Sequence, residues 1–229
     1  MGLLRLAVLV LAFFLVSGSI FSAEKDLPRD SRLIKDVEVK LKFLETPRIT
    51  ADNTSSSAAA SKGKWLCIDV TYVLPDVTGK SSDIEWMDDL EILYEVLYPS
   101  MYKGKNIIVK FMGRTLYWSV AMDNKKHKAD AYIPPQILHR YGRSDMRAGD
   151  LMKSIEIRVT FYDRNGKPLG RAYYPRNDKT AVSNFSRTDE MTSPVPKLAD
   201  TIYPRNKTPW AFLEYDNYEL IKAVETGKK

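Results

Sequence analysis

One cysteine in 229 residues, Cys67, excludes an intramolecular disulfide whatever compartment the chain reaches. It lies inside the apolar segment Trp65 to Leu74, where a small buried hydrophobe is expected rather than a nucleophile or an intermolecular bridge. Histidine is almost as scarce. His127 falls in the basic stretch Lys125-Lys126-His127-Lys128 and His139 lies twelve residues on, so an imidazole metal site would need two distant residues to meet. The chain contains no G-x-S-x-G elbow, no H-E-x-x-H pair, no glycine-rich phosphate loop and no C-x-x-C. The expectation is a protein that is not an enzyme and carries no cofactor and no metal. Zinc-finger, RRM and helix-turn-helix spacings are also missing, so nucleic acid is not an expected partner.

Long hydrophobic runs are lacking too. The apolar stretch Leu6 to Val16 has eleven residues, against the roughly 20 that a bilayer-spanning helix needs, so an integral membrane protein is not expected. Its surroundings give it another meaning: Arg5 precedes it and small, polar Ser17-Gly18-Ser19 follow, the order of a secretory signal peptide. The signal is expected over residues 1–23, with cleavage between Ser19 and Ala23. A cut after Ala23 puts bulky Phe21 three residues back, whereas a cut after Ser19 puts small Ser17 there. No cysteine stands at the end of the run to carry a lipid. The remainder, residues 24–229, is long enough for one domain with a proper core and is expected in the periplasm or at the cell surface. Its positive charge, part of a formal +6 for the whole chain, is mostly scattered and gives a weak attraction to acidic partners.

What the chain does have is alternation with a period of two. In Val37-Glu38-Val39-Lys40-Leu41-Lys42-Phe43 apolar and charged residues alternate without a break, the pattern of a half-buried strand. Residues 51–64, rich in Ser, Ala, Asn and Gly, read as an exposed flexible loop. Trp65 to Leu74 puts Leu66, Ile68, Val70, Tyr72 and Leu74 on one face and Trp65, Cys67, Asp69 and Thr71 on the other. Asp89 to Tyr98 repeats the pattern and is expected to stop at Pro99. Ile107 to Phe111 and Thr115 to Met122 flank Gly113-Arg114, which reads as a hairpin or bulge, with Leu116, Trp118, Val120 and Met122 sharing a face. Pro134-Pro135 and Gly142 bracket one short helix. Ile155, Ile157, Val159 and Phe161 alternate into Asn165-Gly166, a type I′ hairpin signal. The polar, proline-interrupted stretch from Pro175 to Pro204 reads as a long surface connection. After it, Trp210 to Ile221 is expected to dock on the body with a final helical turn near Asn217 to Val224. Seven or eight strands with hairpin connections predict an all-β antiparallel sandwich, with a closed barrel as the alternative.

Candidate sites are few. Asp83, Glu85, Asp88 and Asp89 form the densest acidic patch, expected as a loop; it lacks the alternating ligands and turn glycine of an EF-hand. Glu91 and Glu95 share a strand face, as a glycosidase pair would, but so do exposed residues on most sandwich strands. Thirteen tyrosines and four tryptophans are mostly expected in the core. Tyr173, Tyr174 and Tyr203 fall outside clear core strands and are the better candidates for a surface that stacks a sugar or holds a protein.

Three landmarks carry a resemblance: Lys64-Trp65-Leu66-Cys67-Ile68-Asp69-Val70, Glu85-Trp86-Met87-Asp88-Asp89-Leu90, and the ending Asn206-Lys207-Thr208-Pro209-Trp210-Ala211-Phe212-Leu213-Glu214-Tyr215-Asp216-Asn217-Tyr218-Glu219. Together, over Val37 to Ala223, they resemble the immunoglobulin-like, type IV pilus-associated proteins of Verrucomicrobiota such as Akkermansia. The resemblance implies an immunoglobulin-like β-sandwich in the bacterial envelope, with pilus components as partners, and no active site. The function expected is therefore a non-enzymatic structural or interaction protein of pilus assembly or adhesion. A carbohydrate-binding module is the alternative, and an envelope hydrolase built on a carboxylate pair a more distant one.

Overall fold

The computed structural model describes residues 33–47, 63–76, 79, 84–142, 148–175, 179–190, 195–213 and 217–223. The expected signal peptide, most of the 51–64 loop and Asp83 lie outside the described residues.

The alternating segments become strands: β1 (Lys35–Glu45), β2 (Lys64–Val73), β3 (Glu85–Tyr102), β4 (Lys105–Met122), β5 (Lys126–Ile133), β6 (Glu156–Tyr162) and β7 (Pro168–Tyr174), with two-residue strands β8 (Lys197–Leu198) and β9 (Tyr203–Pro204). One sheet has the order β1-β2-β5-β9 and the other β7-β6-β3-β4-β8. The two sheets share no strand, which makes the fold a sandwich and not a closed barrel. All neighbours are antiparallel except β4 and β8. With β1, β2 and β5 as A, B and E, and β7, β6, β3 and β4 as G, F, C and C′, this is the immunoglobulin-like arrangement. The sandwich centre holds the faces anticipated from period two: Leu66, Ile68, Val70 and Tyr72 from β2, and Ile157, Val159 and Phe161 from β6 with the adjoining Ile155, are all fully buried.

Several local expectations fail for identifiable reasons. Pro99 does not end β3, which runs to Tyr102. β6 stops pairing at Leu97↔Glu156, so β3 has one open side at Pro99, where a residue without an N–H is tolerated. Gly113 is not a turn; β4 passes straight through it. A Cβ there would lie 2.2 Å from the carbonyl oxygen of Ile202, so the glycine permits close approach of the chain leading into β9. The tight hairpin is instead at Lys103-Gly104, both at positive φ (48° and 74°), as a type I′ turn requires. The loop at Asn165-Gly166 spans residues 163–167, closed by Asp163 N–H donating to Lys167 O at 3.0 Å, and Asn165 is not in the left-handed region.

Trp118 does not share a face with Val120 and Met122, which are buried while it is exposed; Tyr117 takes the core position instead. Asp89, at φ 54°, lies in register with Trp118, and the alternation reverses at this point along both strands. Among the described residues there are three α-helices rather than one: α1 (Pro135–Tyr141), at the expected place, α2 (Ala148–Ser154) and α3 (Lys179–Glu190). α3 lies inside the stretch expected as a surface connection. Of the final helical turn expected near Asn217 to Val224, residues 218–223 are not helical and Val224 lies outside the described residues; Ile221 bridges to Tyr117 and extends the sheet beside β4.

α3 covers the outer face of the second sheet. Phe185 packs there with Leu97 and Tyr173. Beside it Glu95, Lys110 and Arg158, from β3, β4 and β6, are buried together: Lys110 Nζ is 2.7 Å from Glu95 Oε1 and 2.9 Å from Asp189 Oδ1 of α3, and Arg158 pairs with both carboxylates.

Candidate functional site

Outward-facing residues of β2 and β5 lie opposite one another as Cys67↔Tyr132, Asp69↔Asp130 and Thr71↔Lys128, while their alternate neighbours fill the core. On β1, Lys42 lies opposite Cys67 and its ammonium bonds the Asp69 carboxylate. The C-terminal segment crosses this face. Trp210 stacks on Tyr132 with centroids 4.8 Å apart and meets Trp65 edge-on at 5.4 Å. The Arg205 guanidinium lies 3.7 Å over the Tyr218 ring. A cleft of about 390 Å³ results, with Asp69, Asp130 and Lys42 as polar lining and Tyr132, Trp210 and Tyr218 as aromatic walls. A smaller cavity of about 130 Å³ shares Asp130, Arg205 and Tyr218 with it.

Asp130 is the centre of the cleft's hydrogen bonding. Its Oδ2 accepts from Tyr218 Oη at 2.9 Å and from Tyr132 Oη at 3.1 Å, and Arg205 Nη1 lies 3.5 Å away. Its Oδ1 is buried and accepts no hydrogen bond. Burial raises the Asp130 carboxyl above the usual carboxylate range, and the facing Asp69 raises it further against the opposing phenol and guanidinium contacts. Burial likewise pushes the Cys67 thiol well up, helped by Asp130 and Asp69, so it is a poor source of thiolate. The arrangement sets carboxylates and an ammonium beside aromatic rings, a lining suited to a hydroxyl-bearing ligand.

The tyrosines singled out in the sequence do not form a common surface. Tyr173 is 7 % exposed and packs on Phe185, which removes it as a contact residue. Tyr174 is half-buried against the core, and Tyr203 is half-buried in β9 opposite Tyr132. Helix α3 hides Tyr173, and nothing in the strand pattern announces it. Glu85, Asp88 and Asp89 are the first turns of the pleat in β3 rather than a loop. Asp88 accepts from Ser119 Oγ at 2.7 Å and Asp89 pairs with Lys222 at 2.6 Å. Glu91 pairs with Arg114 at 2.6 Å, while Glu95 is buried in the ion cluster under α3. His127 is buried with Nδ1 2.7 Å from Glu219, whereas His139 is exposed on α1. Among the described residues no three His, Cys, Asp or Glu side chains are grouped to hold a metal ion. No helix among them is long and apolar enough to cross a membrane.

A second feature escapes sequence reading because it follows from the reversal at Asp89. Trp86 and Trp118, on β3 and β4, are 56 % and 54 % exposed. Trp118 N–H donates to Leu220 O at 3.0 Å, so the exposed Leu220 lies beside Trp118, while the hydrogen-bonded Asp88 and Ser119 stand in register between the two tryptophans. Lys222 Nζ lies 4.4 Å from the Trp118 ring centroid.

No curated protein matches the chain. A crystal structure of a protein from Akkermansia muciniphila is similar in fold, with a TM-score of 0.61 at 16 % identity, over 84 % of this chain and 94 % of that one. Identity that low speaks for the fold alone. One family model matches residues 28–225, nearly the whole of the chain. The chain therefore belongs to the family which that model describes.

Proposed function

We propose that this protein is an exported, non-enzymatic interaction protein of the bacterial envelope that works with type IV pilus components in assembly or adhesion. The observation that carries the reading is the exposure of Trp86, Trp118 and Leu220 on three adjacent chain segments. Exposed tryptophans bordered by polar residues have the character of protein-binding hot spots. Engagement of the carboxylates in internal contacts supports a scaffold rather than a catalyst: Glu95 with Lys110 and Arg158, Asp69 with Lys42, Asp130 with two phenols. Export rests on Arg5, the apolar run and the small residues after it. Cross-linking in intact cells followed by mass spectrometry tests the reading. Envelope or pilus proteins are the expected partners, and recovery of cytoplasmic partners alone would count against it.

A carbohydrate-binding role has one specific observation behind it, the cleft in which Lys42, Asp69 and Asp130 lie beside Trp210, Tyr132 and Tyr218. Glycan binding that Trp210→Ala abolishes would support it. Binding unchanged by that substitution would place any sugar site elsewhere.

A further inference from the structure

The β3–β4 hairpin ends in an exposed tip that mixes apolar and basic side chains. β6 leaves β3 after Leu97 and β8 touches β4 only at Lys110 and Phe111, so the hairpin continues outward as a two-stranded ribbon. Every residue from 101 through 106 is exposed. Met101 and Tyr102 are 44 % and 60 % exposed, and Ile108 is exposed as well. The register Pro99↔Ile108, Met101↔Asn106 and Tyr102↔Lys105 puts Met101 and Ile108 on one face of the ribbon and Tyr102 on the other. A ribbon that docks flat on a neighbour exposes apolar residues on one face. Apolar side chains on both faces call for a medium that surrounds the tip.

Charge narrows the medium. From Val96 to Met122 the chain contains no Asp or Glu. Of the cations in that stretch, Lys110 is buried in the ion cluster and Arg114 pairs with Glu91. Lys103 and Lys105 remain at the tip, and Lys103 Nζ lies 5.4 Å from the Tyr102 ring centroid. Pairing extends to Tyr102↔Lys105, so the ladder closes to within a two-residue turn and few backbone groups enter an apolar region unpaired. Aromatic, aliphatic and lysine side chains on such a tip match the interfacial zone of a bilayer, where rings and methylenes enter the headgroup boundary and ammonium groups stay with phosphates.

We propose that the β3–β4 tip is a membrane-contact element that inserts Met101, Tyr102 and Ile108 into the interface of an anionic bilayer, with Lys103 and Lys105 against lipid phosphates. It is independent of Trp86 and Trp118 and of any protein partner. Vesicle co-flotation of the full chain tests it, with parent and variants compared side by side so that the apolar N-terminal run contributes equally to all. The parent is expected to float with vesicles containing phosphatidylglycerol, less with pure phosphatidylcholine, and less as salt rises. Lys103→Gln and Lys105→Gln should each weaken binding by roughly five-fold, the effect of one charge near an anionic surface. Met101→Ser with Tyr102→Ser should weaken it at all salt concentrations. Unchanged thermal midpoints check that the variants fold, and the lysine variants carry the test if the serine pair does not. Variants that float like the parent, equal binding to both lipids, or loss of a protein partner with vesicle binding intact would overturn the proposal.

Discussion

Gly113 shows what one residue decides. Followed along the sequence it interrupts an apolar pattern, and a turn is the ordinary meaning of that interruption. The structure gives it a different task, since the chain at Ile202 presses against the position where a Cβ would be. Gly113→Ala must move either β4 or the chain entering β9, and a loss of about 1–3 kcal/mol is expected, as for other overpacked sites. Urea denaturation measures it, and an unchanged midpoint would show that the approach is not tight. Cys67 lies at the opposite pole of legibility. Its place in an apolar segment and the burial preference of a free thiol predict burial, and it is buried, although on the outward face of β2. Tyr173 was not legible, because its outward strand position is covered by α3, a helix that the polar stretch after β7 does not announce.

At the scale of elements, α3 and the charges beneath it are the main departure from the strand pattern. Its buried residues are Ala181, Phe185 and Thr188, a helical spacing too sparsely apolar to stand out from its polar surroundings. Phe185 places its ring 4.8 Å from the Arg158 guanidinium carbon and 5.6 Å from Lys110 Nζ, so the helix closes over the cations instead of a greasy patch. Removing one partner of such a cluster leaves charge buried without compensation. Glu95→Gln is expected to cost about 3–5 kcal/mol, read from denaturant midpoints. Burial opposes ionisation of both Glu95 and Asp189, yet Arg158 and Lys110 outweigh it and hold both carboxyls below their usual range. A lowered folded-state value means stability present above the unfolded carboxylate range of about 4 and lost as pH falls through the folded values. The thermal midpoint should therefore drop steeply below about pH 4, and less steeply in Glu95→Gln. A profile identical in the two proteins would remove the cluster from the acid response.

For the molecule as a whole, period two identifies the inward faces of β2 and β6 and the alternation of β1, but it fits a closed barrel as well, and the two separate sheets decide for the sandwich. It could not place the cleft, whose lining runs from Lys42 to Tyr218 and is assembled by sheet pairing and the returning C-terminal segment. Nor could it reveal the exposure of Trp86 and Trp118. A single positive φ at Asp89 reverses which side chains face solvent, and no residue pattern records that reversal. This pair of tryptophans is also where the account is most exposed to test. A photo-activatable cross-linker at position 118, compared in intact cells with one at solvent-exposed Lys40 of β1, examines it directly. The interaction reading requires a discrete adduct with an envelope protein from position 118 and none from position 40. Equal background labelling at the two positions, or adducts with cytoplasmic proteins alone, would contradict it.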